Sequence, residues 1–166
     1  MKGSRSGLAA KLIRRMDTSE RIAVVQQFGR TYRTFMAAFE SQVGQPMPRW
    51  RILMALYDRG GESSQKRLVE QLRVDPGALT RQVKSLEALG WVERSVDLRD
   101  NRITNVKLTE SGRAATEAGL PRRNAFLAQT MALPDDALAA LSGALRLMET
   151  RIGEAVRATG SQNTAD

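Results

Sequence analysis

The chain has 166 residues, 42% hydrophobic and 27% charged, a length and composition that suit one folded domain and argue against global disorder. Lys and Arg number 26 against 18 Asp and Glu, so the formal charge of +8 favours a polyanionic partner, nucleic acid before an anionic membrane. Cysteine and histidine are absent, which excludes disulfides, thiol redox sensing, Cys or His nucleophilic relays and the usual zinc ligands. Carboxylate or oxygen metal sites remain, but no paired-carboxylate or Asp-rich loop motif supplies one, so neither catalytic residues nor a metal or cofactor is expected. Apolar runs such as ILMAL at 52–56 fall far short of the ~18 residues that a spanning helix needs.

Residues 1–16 hold five basic residues and no acid. Such a segment resembles an Arg-rich presequence, yet no apolar core precedes a small-residue cleavage site, and a flexible basic arm that attracts phosphate is the expectation. Asp17 followed by Glu20 has the spacing of a capping box. Beyond it Ile22, Val25, Phe28, Tyr32, Phe35 and Phe39 step by three or four, predicting one apolar stripe on a helix of about five turns.

Pro48 opens a predicted helix with Trp50, Leu53, Met54 and Tyr57 on its inner side, stopped by Gly60 and Gly61. Ser64 is placed to cap a short helix, QKRLVEQL, with Leu68 and Leu72 inward. After a brief break, Asp75 and Pro76 fit the N-cap and first position of another helix, which runs to Gly90. Two short helices joined so tightly form the unit that lays its second helix in a DNA major groove. At about 100° per residue, Leu79, Val83, Leu86 and Leu89 face inward, while Gly77, Arg81, Lys84 and Ala88 face out and Thr80 lies at the margin. Gly77 would let the backbone approach phosphate or base edges, and Arg81 carries the fork that fits guanine.

A hairpin is predicted next, with Val92 and Val96 on one side of its first strand, Val106 and Leu108 together on the return strand, and Arg94 and Lys107 outward. Its connection, DLRDNR, is too long for a two-residue turn and projects as a charged tip. Arg99 and Arg102 suit a narrow minor groove, and Asp97 and Asp100 are expected to orient their guanidinium groups. At the far end, Pro134 stands at a first helical position, with Asp135 and Asp136 in the first turn. Leu138, Leu141, Leu145, Met148, Ile152 and Val156 follow at helical spacing, and residues 159–166 read as a flexible tail. Two long stripes fit either an intramolecular bundle or packing against symmetry mates in a dimer.

The motif Asp97-Leu98-Arg99-Asp100-Asn101-Arg102 sits between Gly90-Trp91-Val92-Glu93-Arg94 and Leu108-Thr109-Glu110-Ser111-Gly112. In that order the three resemble the D-x-R-D-x-R wing and its flanking G-x-x-x-R and L-T-x-x-G motifs in the MarR family of winged helix-turn-helix regulators, over residues 17–157. The resemblance implies a mainly α fold with a small β-wing and long terminal helices. Residues 17–45 and 110–158 would form a dimerisation region, and residues 46–109 the winged helix-turn-helix domain. It further implies a bacterial, cytoplasmic, nucleoid-associated homodimer, a repressor at a pseudopalindromic operator in double-stranded DNA. Gly77, Thr80, Arg81 and Lys84 would read the major groove, with Arg94, Asp97, Arg99, Asp100 and Arg102 at the wing. Release by a small aromatic carboxylate or phenolic effector would involve Phe28, Tyr32, Arg33, Arg49, Trp50, Arg51 and Met54, although helical aromatics more often serve as packing. A nonspecific architectural DNA-binding protein, or a helical protein-interaction module without a ligand, is the alternative.

Overall fold

The computed structural model describes residues 16–162, with side chains through residue 158. The expected basic arm lies outside this range except for Met16. The elements are helices α1 (Thr18–Val43), α2 (Met47–Tyr57), α3 (Gln65–Leu72), α4 (Pro76–Ala88), α5 (Glu110–Thr130) and α6 (Asp135–Gln162), with strands β1 (Glu62–Ser64), β2 (Val92–Val96) and β3 (Thr104–Leu108). This is the mainly helical winged helix-turn-helix fold with long terminal helices that the sequence predicts. The chain divides into two compact units, one reaching Gly119 and one beginning at Leu120.

In the first unit the local signals hold. The Asp17 carboxylate accepts from Glu20 N at 2.9 Å and the Glu20 carboxylate from Asp17 N at 2.9 Å, closing the capping box of α1. Ser64 caps α3 through Arg67 N at 3.3 Å, and Asp75 caps α4 through Ala78 N at 2.8 Å. Helix α1 is longer than expected, about seven turns, and only its C-terminal part packs within this unit. Phe39 and Val43 are buried, whereas Ile22, Val25, Phe28 and Tyr32 are exposed.

Helix α2 starts one residue before Pro48 and buries more than the predicted side. Trp50, Ile52, Leu53, Ala55 and Leu56 are buried, and Met54 and Tyr57 only half so. A helix enclosed on several sides carries apolar residues outside any single stripe. With Leu68, Leu79, Val83, Leu86, Val92, Val106 and Leu108, four of these α2 residues, Ile52, Leu53, Ala55 and Leu56, form the core under the helix-turn-helix. Leu89, expected inward, is exposed because the helix ends before it and the chain turns at Gly90 with φ 71°.

The sheet is antiparallel with strand order β1-β3-β2. Strand β1 escapes the sequence pattern: Ser63 pairs with Val106, so its partner is far away in the chain. Val96 is exposed although it shares a strand side with buried Val92, because only the base of the hairpin lies over the core.

Helix α5 begins where the hairpin closes. Thr109 N donates to Trp91 O at 3.1 Å, and the Thr109 and Ser111 hydroxyls donate to Gly90 O at 2.7 and 2.8 Å. Gly112 passes so close to this turn that a Cβ there would lie 1.9 Å from the Trp91 carbonyl oxygen. In the second unit α6 begins at Asp135, just after Pro134, and continues to Gln162, beyond the expected end at 158. The predicted tail is therefore helical at first, and residues 163–166 lie outside the described range. Leu141, Leu145, Ile152 and Val156 of its stripe are exposed.

Because backbone, not a flexible side chain, opposes a Cβ at position 112, Gly112→Ala is expected to destabilise the fold by about 3 kcal/mol or more. Denaturation by urea, followed by circular dichroism, measures this, and an unchanged midpoint would show that α5 can shift away from Trp91.

Candidate nucleic-acid interface

Helix α4 presents the expected outer face. Gly77, Arg81, Lys84 and Ala88 are exposed, and Leu79, Val83 and Leu86 hold the opposite face in the core. Thr80 is half-buried, its hydroxyl donating to Pro76 O at 2.9 Å, so it has less freedom to meet a ligand than its neighbours. The turn before α4 passes through Arg73 in the left-handed region, φ 50°, which reverses the chain in little space.

Arg94 departs from its expected place. Residues 92, 94 and 96 share a side under the two-residue period of a strand, and Arg94 lies opposite Val106. From there its guanidinium reaches back to α4: Nε donates to Glu87 at 2.9 Å and Nη2 lies 2.7 Å from the same carboxylate oxygen. The hydrogen bond from Arg94 holds Glu87 below the usual carboxylate range. Arg94 thus ties the wing to α4.

The wing tip is shaped by its aspartates, in a way that differs from the expected orientation of guanidinium groups. Asp97 Oδ1 accepts from Arg99 N at 2.8 Å and Asp100 N at 3.2 Å, its Oδ2 accepts from the Asn105 amide at 3.2 Å, and Asp100 Oδ1 accepts from Arg102 N at 3.0 Å. Short Asp side chains readily bond backbone two residues on. They organise the loop backbone, and the hydrogen bonds given to Arg99 and Arg102 run through their N–H groups, leaving both side chains exposed at the tip. Asp97 N to Ile103 O and Ile103 N to Asp100 O, both 2.9 Å, close the loop.

Below the α3–α4 turn lies a mostly apolar cavity of about 490 Å³, lined by Tyr32, Phe35 and Met36 of α1, Met47, Pro48, Arg51 and Ile52 of α2, and Leu72, Val74, Ala78, Leu79 and Gln82. Of the predicted effector residues, Tyr32 and Arg51 line it. Phe28 and Arg33 are exposed on α1, with the Phe28 ring stacked 6.4 Å from Tyr32. Arg49 donates to Gln82 at 3.3 Å from outside the lining, and Met54 is half-buried elsewhere. Trp50 is core: it packs edge-on to Phe39 at 6.4 Å, and Gly119 leaves room for its ring. Arg51 has a structural task as well, donating to Leu72 O at the end of α3 at 2.6 Å. Ala78, Leu79 and Gln82 were missed because a cavity wall drawn from four segments has no periodic signature.

Among the described residues no group of three or more His, Cys, Asp or Glu can hold a metal ion, and no helix is long and apolar enough to cross a membrane.

The MarR family model matches residues 46–104, from the start of α2 to the wing. The HTH-type transcriptional regulator YdgJ of Bacillus subtilis strain 168, itself uncharacterised, is 32% identical over 114 residues, 69% of each chain. The chain belongs to the MarR family. Solved MarR-like structures agree in fold. The organohalide-sensing regulator RdhR in its 2,4-dichlorophenol-bound form superposes with a TM-score of 0.74 at 19% identity, covering 84% of this chain and 88% of that one. A mutant MarR from E. coli complexed with operator DNA gives 0.67 at 24% identity, covering 80% and 99%. As a MarR-family protein the chain is a DNA-binding transcriptional regulator and not an enzyme.

The hydrogen bonds from Arg99 N, the Asn105 amide and Asp100 N, in that order of effect, hold the Asp97 carboxyl below its ordinary range. A carboxylate depressed in this way stabilises the folded tip at pH above its unfolded value and loses that contribution as pH falls through the lower folded value. The amide resonances of Arg99 and Asp100 are therefore expected to move together in acid, with a midpoint below that of an ordinary aspartate, and Asp97→Ala should abolish the transition. NMR titration reads both effects; wild-type amides indifferent to acid would refute the assignment.

Proposed function

We propose that the protein is a homodimeric, sequence-specific repressor at a pseudopalindromic operator, released by a small aromatic or phenolic anion. The observation that carries the DNA half is the pairing of an outward α4 face, Gly77, Arg81 and Lys84, with a wing tied to the same helix by Arg94 and Glu87. Helix α4 enters the major groove, where Arg81 reads a base edge and Lys84 meets phosphate. Arg99 and Arg102 reach the flanking minor groove from a tip already ordered by Asp97 and Asp100, which reduces the entropy lost on binding. Thr80 serves α4 itself more than the DNA, and Arg94 serves the wing. Residues 17–45 and 110–158 supply the dimer contacts. The exposed apolar rows Ile22, Val25, Phe28 and Tyr32 on α1, and Leu141, Leu145, Ile152 and Val156 on α6, each need a covering partner, and a second copy of the chain supplies one. Acting on DNA, the protein works in the bacterial cytoplasm at the nucleoid.

The effector half rests on the 490 Å³ cavity, a size suited to a small aromatic molecule. Its walls include α4, so an occupant that prefers one placement of that helix shifts the population away from the DNA-competent one. The dichlorophenol held by a regulator of the same fold suggests the ligand class. Tyr32 and Arg51 are the polar groups that would meet a phenolate or carboxylate, with Gln82 beside them.

Titration of duplexes enriched by the protein from a random-sequence pool, against unrelated duplexes at several salt concentrations, tests the DNA half. Arg81→Ala is expected to cost ~1–3 kcal/mol and relax preference at one position of each half-site, whereas Lys84→Ala should weaken all duplexes alike and flatten the salt dependence. Equal affinity of the wild-type protein for all sequences would replace this reading with an architectural one. For the effector half, 2,4-dichlorophenol or benzoate should release the enriched duplex from the wild-type protein, and Met36→Trp, which narrows the cavity, should bind DNA but resist release. Release that persists in this variant would place the ligand elsewhere.

A further inference from the structure

Leu98 stands fully exposed at the end of the wing, more so than any other large apolar residue among those described. It has company: Val96 is 57% and Ile103 38% exposed on the same end of the hairpin. Val96 and Leu98 line one hollow of about 390 Å³ with Arg99, Ser95, Asn105 and two acids, Glu62 and Asp97. The end of the wing thus sets apolar side chains beside an arginine, with carboxylates at the same hollow. The hydrogen bonds that shape the tip connect Asp97 and Asp100 with Arg99, Arg102, Ile103 and Asn105, and none involves Leu98. No hydrogen bond of the tip calls for a leucine at this position.

We propose that Leu98 is a minor-groove contact that makes the flanks of the binding site sequence-dependent. The inference rests on the wing entering that groove, as proposed above. Arg99 and Arg102 respond to the width and potential of the groove. A leucine adds something they lack: an apolar wedge that enters most easily where base steps unstack at low cost, the pyrimidine–purine steps TA and CA/TG. The anchoring of Arg99 N and Asp100 N by Asp97 fixes the backbone on the C-terminal side of residue 98, so little freedom is lost when the leucine engages. Because the side chain is neutral, its contact displaces no counterion and leaves the salt dependence unchanged.

The test selects duplexes from one random-sequence pool in parallel with the wild-type protein, Leu98→Ala and Arg99→Ala, and then measures the affinity of each for the duplex most enriched by the wild type at several salt concentrations. The wild type is expected to enrich pyrimidine–purine steps in both flanks. Leu98→Ala should keep the central preference and the salt slope, lose the flank preference, and bind the wild-type duplex about tenfold more weakly. Arg99→Ala should weaken binding with a shallower salt slope. Unchanged flanks and affinity in Leu98→Ala, beside a weakened Arg99→Ala, would overturn the role of Leu98 and leave the wing in the groove. Wild-type behaviour in both variants, or no enrichment by the wild type, would remove the wing reading and the leucine's role with it.

Discussion

Two adjacent carbonyls, those of Gly90 and Trp91, hold the helix-turn-helix, its wing and the start of α5 in one piece. At Gly90 the α4 helix has just ended, and its carbonyl takes the hydroxyls of Thr109 and Ser111 from the far side of the hairpin. The next carbonyl takes the Thr109 N–H. Helix α5 can start there only because residue 112 has no side chain to strike Trp91. The end of one helix, the base of the wing and the start of another helix thus share a few ångströms of backbone. Arg94 and Glu87 make a second tie farther along the hairpin, and Val92, Val106 and Leu108 fill the space beneath with Leu79, Val83 and Leu86. With the base pinned in this way, the spacing between Arg81 and the wing tip is set by the fold itself, so the reading proposed above requires little reordering on binding.

The parts of this arrangement that were legible in the sequence are those whose causes are local. A cap needs a short polar side chain and an N–H three residues on, so Asp17, Ser64 and Asp75 announce their helices without reference to the rest of the chain. The outward side of α4 follows from helical angle alone. Strand β1 does not, because three residues carry no alternation of their own and become a strand only against β3. Arg94 shows a different failure: a charged residue was given an outward side by its chemistry when the strand period had already assigned it the side of Val92. The Asp–Arg alternation of the tip suggested ion pairs, yet the nearest unsatisfied donors were backbone N–H groups, and short carboxylates reach those first.

The motif L-T-E-S-G likewise gains a physical meaning. Thr109 and Ser111 are hydroxyl donors to one carbonyl, the Thr109 hydroxyl also accepts from Gly112 N at 3.0 Å, and Gly112 is the gap that lets them get there. By contrast, the aromatic residues that looked like a ligand cage divide by depth. Trp50 belongs to the interior and Phe28 to an open face, and only Tyr32 borders the cavity. Helical spacing records that such residues share a stripe; it cannot record how far along the stripe the packing extends.

Helix α4 has only thirteen residues and three directions to serve. Leu79, Val83 and Leu86 belong to the core, Gly77, Arg81 and Lys84 to solvent, and Ala78 and Gln82, beside them in the chain, to the cavity wall. No position separates the exposed face of this helix from the cavity wall. If the two serve DNA and a small molecule as proposed, a change that enlarges the cavity at 78 or 82 would move the backbone that carries 77 and 81, and descendants of this protein could not drift toward a new ligand while holding their DNA preference still. The two tastes would be inherited together.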